Sequence, residues 1–350
     1  MGVQRSDVII PEVFTPYLIE ASTVRNSFLM SGVVTALDAL NVTEGGDTVK
    51  IPNWKANLDG DAERLTDTTS LTPGKITSDR QIGVVLHRGR AWEARDLAAL
   101  AAGSDPMGAI GTKVADYVAN EQQKDLIATL QGVFGALGSA NTGAAFADLC
   151  VDASGSGETT LGPRQIAAAE VILNEDADRL GAIVMHPRVY ADLKERKAID
   201  FVAATDARVT ASTAAAGSIT ALNAFGGSIA AAYTANISVP FYMGMRVIRS
   251  KDVPTSGSGS STKYACYVMG SGAVGTGQQA ALRTETDRDI LAKSSAMSLD
   301  WHNAFHPLGS RYSGPVNPSR TDLATAANWQ KVFETENLGI VRITVTSNFD

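Results

Sequence analysis

Sulfur is scarce in this chain. Its two cysteines, Cys150 and Cys266, are too few and too far apart for a disulfide framework or a thiolate metal site, which points to a reducing compartment and two buried thiols. Positive charge is also short. A formal net charge of −7 and a pI near 5.2 argue against a dedicated nucleic-acid binder, because such proteins carry a basic surplus that displaces counterions from phosphates. A protein that merely surrounds nucleic acid can be acidic. Long apolar runs are missing: no stretch of about 18 such residues occurs, and the opening MGVQRSDVIIPE lacks the apolar core of a signal peptide. Neither secretion nor a membrane span is expected. Residues 1 to 6 fit the myristoylation pattern, but no basic cluster follows to supply a second membrane signal. Phosphate-loop, GxSxG, CxxC and acidic calcium-loop motifs are absent as well, as are internal repeats and heptads.

At 350 residues the chain can hold two domains, or one body with long excursions. The first 45 residues read as an arm, since Pro11 and Pro16 interrupt short apolar pieces. Val49 and Ile51 alternate with polar neighbours as in a strand, and a strand-like run begins at Ile76. The polar stretch between them carries Gly60, Pro73 and Gly74 and is too long for a hairpin turn. A two-stranded projection that leaves the body fits it. Asp105 as N-cap and Pro106 in the first turn open a long helix, with Ile110, Val114, Val118, Ile127, Leu130 and Phe134 near helical spacing. Its length should be about 40 Å. Helices entered through Pro163 and Pro187 flank a short apolar strand, which predicts a mixed α+β body. Residues 200 to 240, rich in Ala, Thr, Ser and Gly, suggest small helices and loops. Strands are expected at MGMRVIRS, at the buried KYACYVMG, through the charged ALRTETDRDI region, and at the final IVRITV.

Several patterns imitate chemistry. His302 and His306 have the spacing of zinc-protease ligands, but the glutamate such sites need is absent and Pro307 moves His306 out of the helical region. Structural histidines are the better reading, and His87 and His186 read the same way. GSGAVG, Gly270 to Gly275, fits a dinucleotide fingerprint, yet charge-dense alternating sequence follows where a helix is required. A glycine-rich turn between strands fits better. Glu285, Asp287, Arg288 and Asp289 resemble an acid/base cluster, but alternating signs more often build salt-bridge ladders at contacts. What remains is an arm, a projecting hairpin and a spine-length helix without a convincing catalytic site. Limbs that leave the core must bury their apolar positions against something, and sister copies are the economical partner.

The ordered segments AWEARDLAALAAGSDPMGAIGTKVADY, AIVMHPRVYADL, GMRVIRSKDVP, KYACYVMGSGAVG and TETDRDILAKSSAMSLDWHNAFHPLG together resemble the major capsid proteins of tailed bacteriophages, with the Hong Kong 97-like fold. The resemblance covers about residues 10 to 315. It implies an N-terminal arm over 1–46 and an extended β-hairpin loop over 47–90. A peripheral domain over 91–186 would contain a spine helix at 105–135, and an axial domain would span 187–270. Residues 271–350 would return to the peripheral domain and end in a C-terminal strand. WHNAFHPLG would be a core strand and turn.

Function follows as an expectation from that resemblance. The chain would assemble with itself as hexamers and pentamers, in the host cytoplasm, into the icosahedral capsid shell of a virion around double-stranded DNA held without sequence specificity. Portal, scaffolding and decoration proteins are the further partners implied; no enzyme activity, catalytic residue, cofactor, metal or membrane is. Asp59, Asp61, Glu63 and Arg64 on the loop, with Glu285, Arg288 and Asp289, are the candidate inter-subunit contacts. Some members of the family join subunits covalently through a loop lysine and a partner asparagine. The tip here, residues 56 to 74, has no lysine, and only Lys55 and Lys75 flank it, so non-covalent assembly is expected. No long leading scaffolding segment is expected either; a separate scaffold protein or prior cleavage stays open. The rivals are an encapsulin-type compartment on the same fold and, from another class, a nucleotide-dependent enzyme using Gly270 to Gly275.

Overall fold

The computed structural model describes residues 32–41, 45–55, 62–64, 75–137, 143–155, 159–203 and 238–349. The expected arm up to residue 31, most of the loop tip with Asp59 and Asp61, and the small helices and loops expected within 204–237 lie outside the described residues. The first strands in chain order are β1 (Val34–Ala36), β2 (Thr48–Trp54), β3 (Ser78–Val84), β4 (Leu86–Arg95), β5 (Cys150–Asp152) and β6 (Leu180–Met185). There follow β7 (Asp200–Ala203), β8 (Ser238–Tyr242), β9 (Met245–Arg249), β10 (Thr255–Ser256) and β11 (Lys263–Gly270). The last are β12 (Val274–Asp289), β13 (Ser294–Pro307), β14 (Ser310–Tyr312), β15 (Trp329–Lys331) and β16 (Ile340–Val345). The described α-helices are α1 (Asp96–Ala102), α2 (Pro106–Phe134), α3 (Pro163–Leu173), α4 (Pro187–Glu195) and α5 (Arg320–Ala324).

The 29 residues of α2 give about 43 Å of helix. Its start is fixed locally: the Asp105 carboxylate accepts from Met107 N at 3.0 Å, and Pro106 occupies the first turn. Gly135 ends it at φ 76°, a conformation other residues adopt only at a cost. Along its length the helix joins two cores. Val114 and Val118 pack with Leu299 and Trp301 against the β12–β13 hairpin, with Trp92 edge-on to Tyr117 at 5.2 Å. Leu126, Leu130, Val133 and Phe134 enter the main core under the large sheet.

Three sheets surround this helix. One has the order β1-β12-β13-β4; a second has β15-β14-β3-β2; the third is eight-stranded, β5-β16-β11-β6-β9-β8-β7 with β10 beside β11. In the third, β11 and β16 are buried almost end to end, which is why their sequences read as continuous apolar runs rather than alternations. Residues from α3 (Ile166, Ala169, Leu173) and α4 (Val189, Leu193) belong to the same core. By contrast β2 alternates exposed and half-covered residues along its whole length, as a strand does when one face is covered.

Two features depart from the simple picture in the sequence. The run beginning at Ile76 is not one strand: β3 pairs with β2, and after Val85 the chain enters β4 in another sheet, paired with β13. Cys266 is buried, but Cys150 is only partly so, its thiol facing the Phe146 carbonyl at 3.5 Å.

Candidate assembly surfaces

Two hairpins extend from the body. In β2–β3 the strands pair antiparallel from Thr48↔Val84 to Trp54↔Ser78, and at the outer end Trp54 is 67% exposed and Ile76 47%. In β12–β13 pairing runs from Val274↔Pro307 to Asp289↔Ser294, with register shifts near Ala280. The turn beyond Asp289 is held by its own side chain, which accepts from Leu291 N at 2.8 Å and Ala292 N at 3.0 Å. Those amides, Ala292 first, hold the Asp289 carboxyl below the usual carboxylate range. Next to it, Arg288 reaches α1 and meets the Asp96 carboxylate at 2.6 Å, while Lys293 O accepts from Asp96 N.

The expected contact residues therefore divide. Arg288 and Asp289 make bonds within the chain that shape the hairpin end; Glu285 lies on exposed β12 with Arg283 at 4.0 Å. Glu63 and Arg64 are exposed, and Asp59 and Asp61 lie outside the described residues. What the sequence reading missed is apolar. Ile290 and Leu291 are 72% and 95% exposed at the turn, and Leu97 and Leu100 stand out from the adjoining α1. The signal was available in the apolar pair of DILAK, since an aspartate opening a turn leaves the next residues at its apex. Beside this end lies an open cleft of about 560 Å³ between α1, the start of α2 and the hairpin, lined by Asp96, Met107 and Arg288 among others.

The patterns that imitate chemistry resolve into packing. His302 and His306 lie on β13, where Nε2 of the fully buried His306 donates to Gln81 Oε1 at 3.2 Å, and the same oxygen accepts from Gly309 N at 2.7 Å. Burial pushes the His306 imidazole down to about 4. Gly270 to Gly275 form the turn from β11 into β12, a strand where a nucleotide site requires a helix. A side chain at Gly275 or Gly277 would overlap Leu37 or Leu40, so these glycines let the segment before β2 lie close on β12. Among the described residues no three His, Cys, Asp or Glu side chains converge as metal ligands, and no helix is long and apolar enough to cross a membrane.

No protein-family model matches the sequence. A curated relative, the major capsid protein of Bacillus phage SPP1, is 32% identical over 347 residues, covering 96% of each chain. The chain belongs to this family of phage major capsid proteins. Solved structures agree on the fold. The capsid of cyanophage Pam1 superposes with TM-score 0.59 at 14% identity, over 97% of this chain and 98% of that one. The capsid of Ralstonia phage GP4 also gives 0.59, at 11% identity over 97% and 96%. The SrpI encapsulin of Synechococcus elongatus gives 0.52 at 9%, over 96% and 93%. The fold is thus the Hong Kong 97-like fold, and this capsid protein builds the shell of a phage head by self-association.

Proposed function

We propose that the subunit assembles as hexamers and pentamers into a closed icosahedral head around double-stranded DNA, in the host cytoplasm and without covalent crosslinks between subunits. The supporting observation is the near full-length relationship to a phage capsid protein. In this reading residues 1–46 are an arm, 47–90 an extended loop lying on a neighbour, and the body around α2 and the long hairpin forms the peripheral part of the wall. Residues 187–270 supply the axial part around the ring centre, and 271–350 return to the peripheral part. The chain acts mechanically and carries no catalytic step. Its net charge of −7 would limit sticking of DNA to the wall during packing, without reading sequence. Portal, scaffolding and decoration proteins are the further partners.

The loop residues Asp59, Asp61, Glu63 and Arg64, together with Glu285, Arg288 and Asp289, are the polar candidates for inter-subunit contacts. Each exposed ion pair contributes at most about 1 kcal/mol, so strength must come from repetition and from buried area, roughly 1,200 Å² or more per stable contact. Deleting residues 57 to 73 should leave a folded subunit that no longer closes shells, as sedimentation and electron microscopy would show. Normal shells from that deletion would refute the clamp.

The encapsulin likeness favours a second reading, a compartment holding cargo proteins. The DNA content of particles purified from producing cells separates the two: a genome length of nuclease-protected DNA supports the head, and protein cargo without DNA supports the compartment.

A further inference from the structure

Three of the chain's four histidines gather where the β2–β3 hairpin leaves the body. His87 on β4 and His302 on β13 are direct cross-strand partners, and their rings stack at 4.3 Å between centroids and 9° between planes. His87 Nε2 lies 3.8 Å from the carboxylate of Asp47, the residue before β2. Gln279 on β12 meets His302 Nδ1 at 3.2 Å through its oxygen and donates to Gly46 O at 3.0 Å through its nitrogen. His306, four residues and so two pleat repeats further along β13, holds Gln81 of β3. Each end of the hairpin root is thus tied to an imidazole or to its immediate partner.

We propose that the stacked His87–His302 pair is an acid-sensitive clasp that sets the angle between the β2–β3 hairpin and the β1-β12-β13-β4 sheet. Two neutral rings stack without penalty, whereas two imidazolium rings at this separation repel. The charged groups around the pair give the separation a direction. Asp47 attracts a protonated His87 away from the stack and toward the hairpin root. Asp300, two residues before His302, favours a charge on that ring, and Arg283, which holds Asp300 at 2.9 Å, opposes it more weakly. Arg88 is turned away to Asp125 and the Pro318 carbonyl, and His306 is buried and neutral. Burial first, and His87 second, keep the His302 imidazole below its ordinary 6.5. The folded His302 ring therefore resists a proton: its contribution is complete above 6.5 and diminishes as pH falls below it.

Hydrogen–deuterium exchange on the purified full-length particles, corrected for the chemical pH dependence and compared between about pH 7.5 and about pH 5, tests the clasp. Amides of 45–54 and 78–90 should exchange about tenfold faster at the lower pH, with no comparable change in β11 and β16. H302Q should abolish the rise. H87Q, which disturbs less of the core, should do the same if H302Q folds poorly, and H186Q should leave it intact. Absence of the rise in the native chain, its persistence in H87Q/H302Q, its loss in H186Q, or an equal rise across the eight-stranded sheet would each overturn the proposal.

Discussion

At the scale of single residues, the chain places its charges to bind its own pieces together. Asp125 of α2 is fully buried between Arg88, 3.2 Å away on β4, and Arg320, 2.7 Å away on α5. Arg320 also reaches Glu121 at 2.5 Å. Burial pushes the Glu121 carboxyl up, but the bonds from Lys124 and Arg320 outweigh it and leave the group below the usual range. Asp125→Asn removes the acceptor shared by two partly exposed arginines and should cost about 1–3 kcal/mol, read from urea unfolding of the dissociated subunit. His306 makes a pH-dependent contribution. The folded ring stays neutral to about 4, whereas an exposed imidazole takes its proton near 6.5. Between those values the unfolded chain binds more protons, so stability is complete above 6.5 and falls by about 3 kcal/mol as pH drops to about 4. H306Q should remove that part of the acid sensitivity, visible as a smaller difference in unfolding free energy between neutral and acid pH.

At the scale of elements, α2 was legible because its cap, its proline and its apolar spacing are all local. The packing of its last turns was not. A Cβ at Gly132 would overlap the Leu323 carbonyl and the Trp329 ring, which are joined by the Trp329 Nε1–Leu323 O bond at 2.8 Å. Gly132→Ala, which ordinarily favours a helix by about 1 kcal/mol, should here lower stability by about 1–3 kcal/mol, as differential scanning calorimetry would show. The buried strands β11 and β16 were visible as apolar runs, yet nothing local shows that they are neighbours. Partner order is decided by contacts across long sequence separations, such as β1 running parallel to β12 at Val34↔Val274. The histidine stack was hidden for the same reason, since a register linking positions 87 and 302 is not written near either one. Arg288 and Asp289 stood out in sequence as charge, while nothing in the sequence singled out Leu97 and Leu100. Their exposure depends on where the neighbouring hairpin stops.

At the scale of the whole molecule, several of the exposed apolar residues gather on the two hairpins: Trp54 on one, Ile290 and Leu291 on the other, with Leu97 and Leu100 beside the latter. Such patches on a shell protein mark contact sites. Replacing Ile290 and Leu291 with aspartate and serine should change unfolding free energy by no more than about 0.5 kcal/mol and sharply reduce the yield of closed particles, measured by sedimentation velocity. The placement of β16 has a consequence for synthesis. The eight-stranded sheet spans positions 150 to 345, and β16 lies inside it between β5 and β11. A nascent chain still on the ribosome, or one released early by a nonsense codon, leaves β11 with an open seam where residues 340–345 belong. Only polypeptides translated past that point can finish the sheet, so the lattice receives length-checked parts.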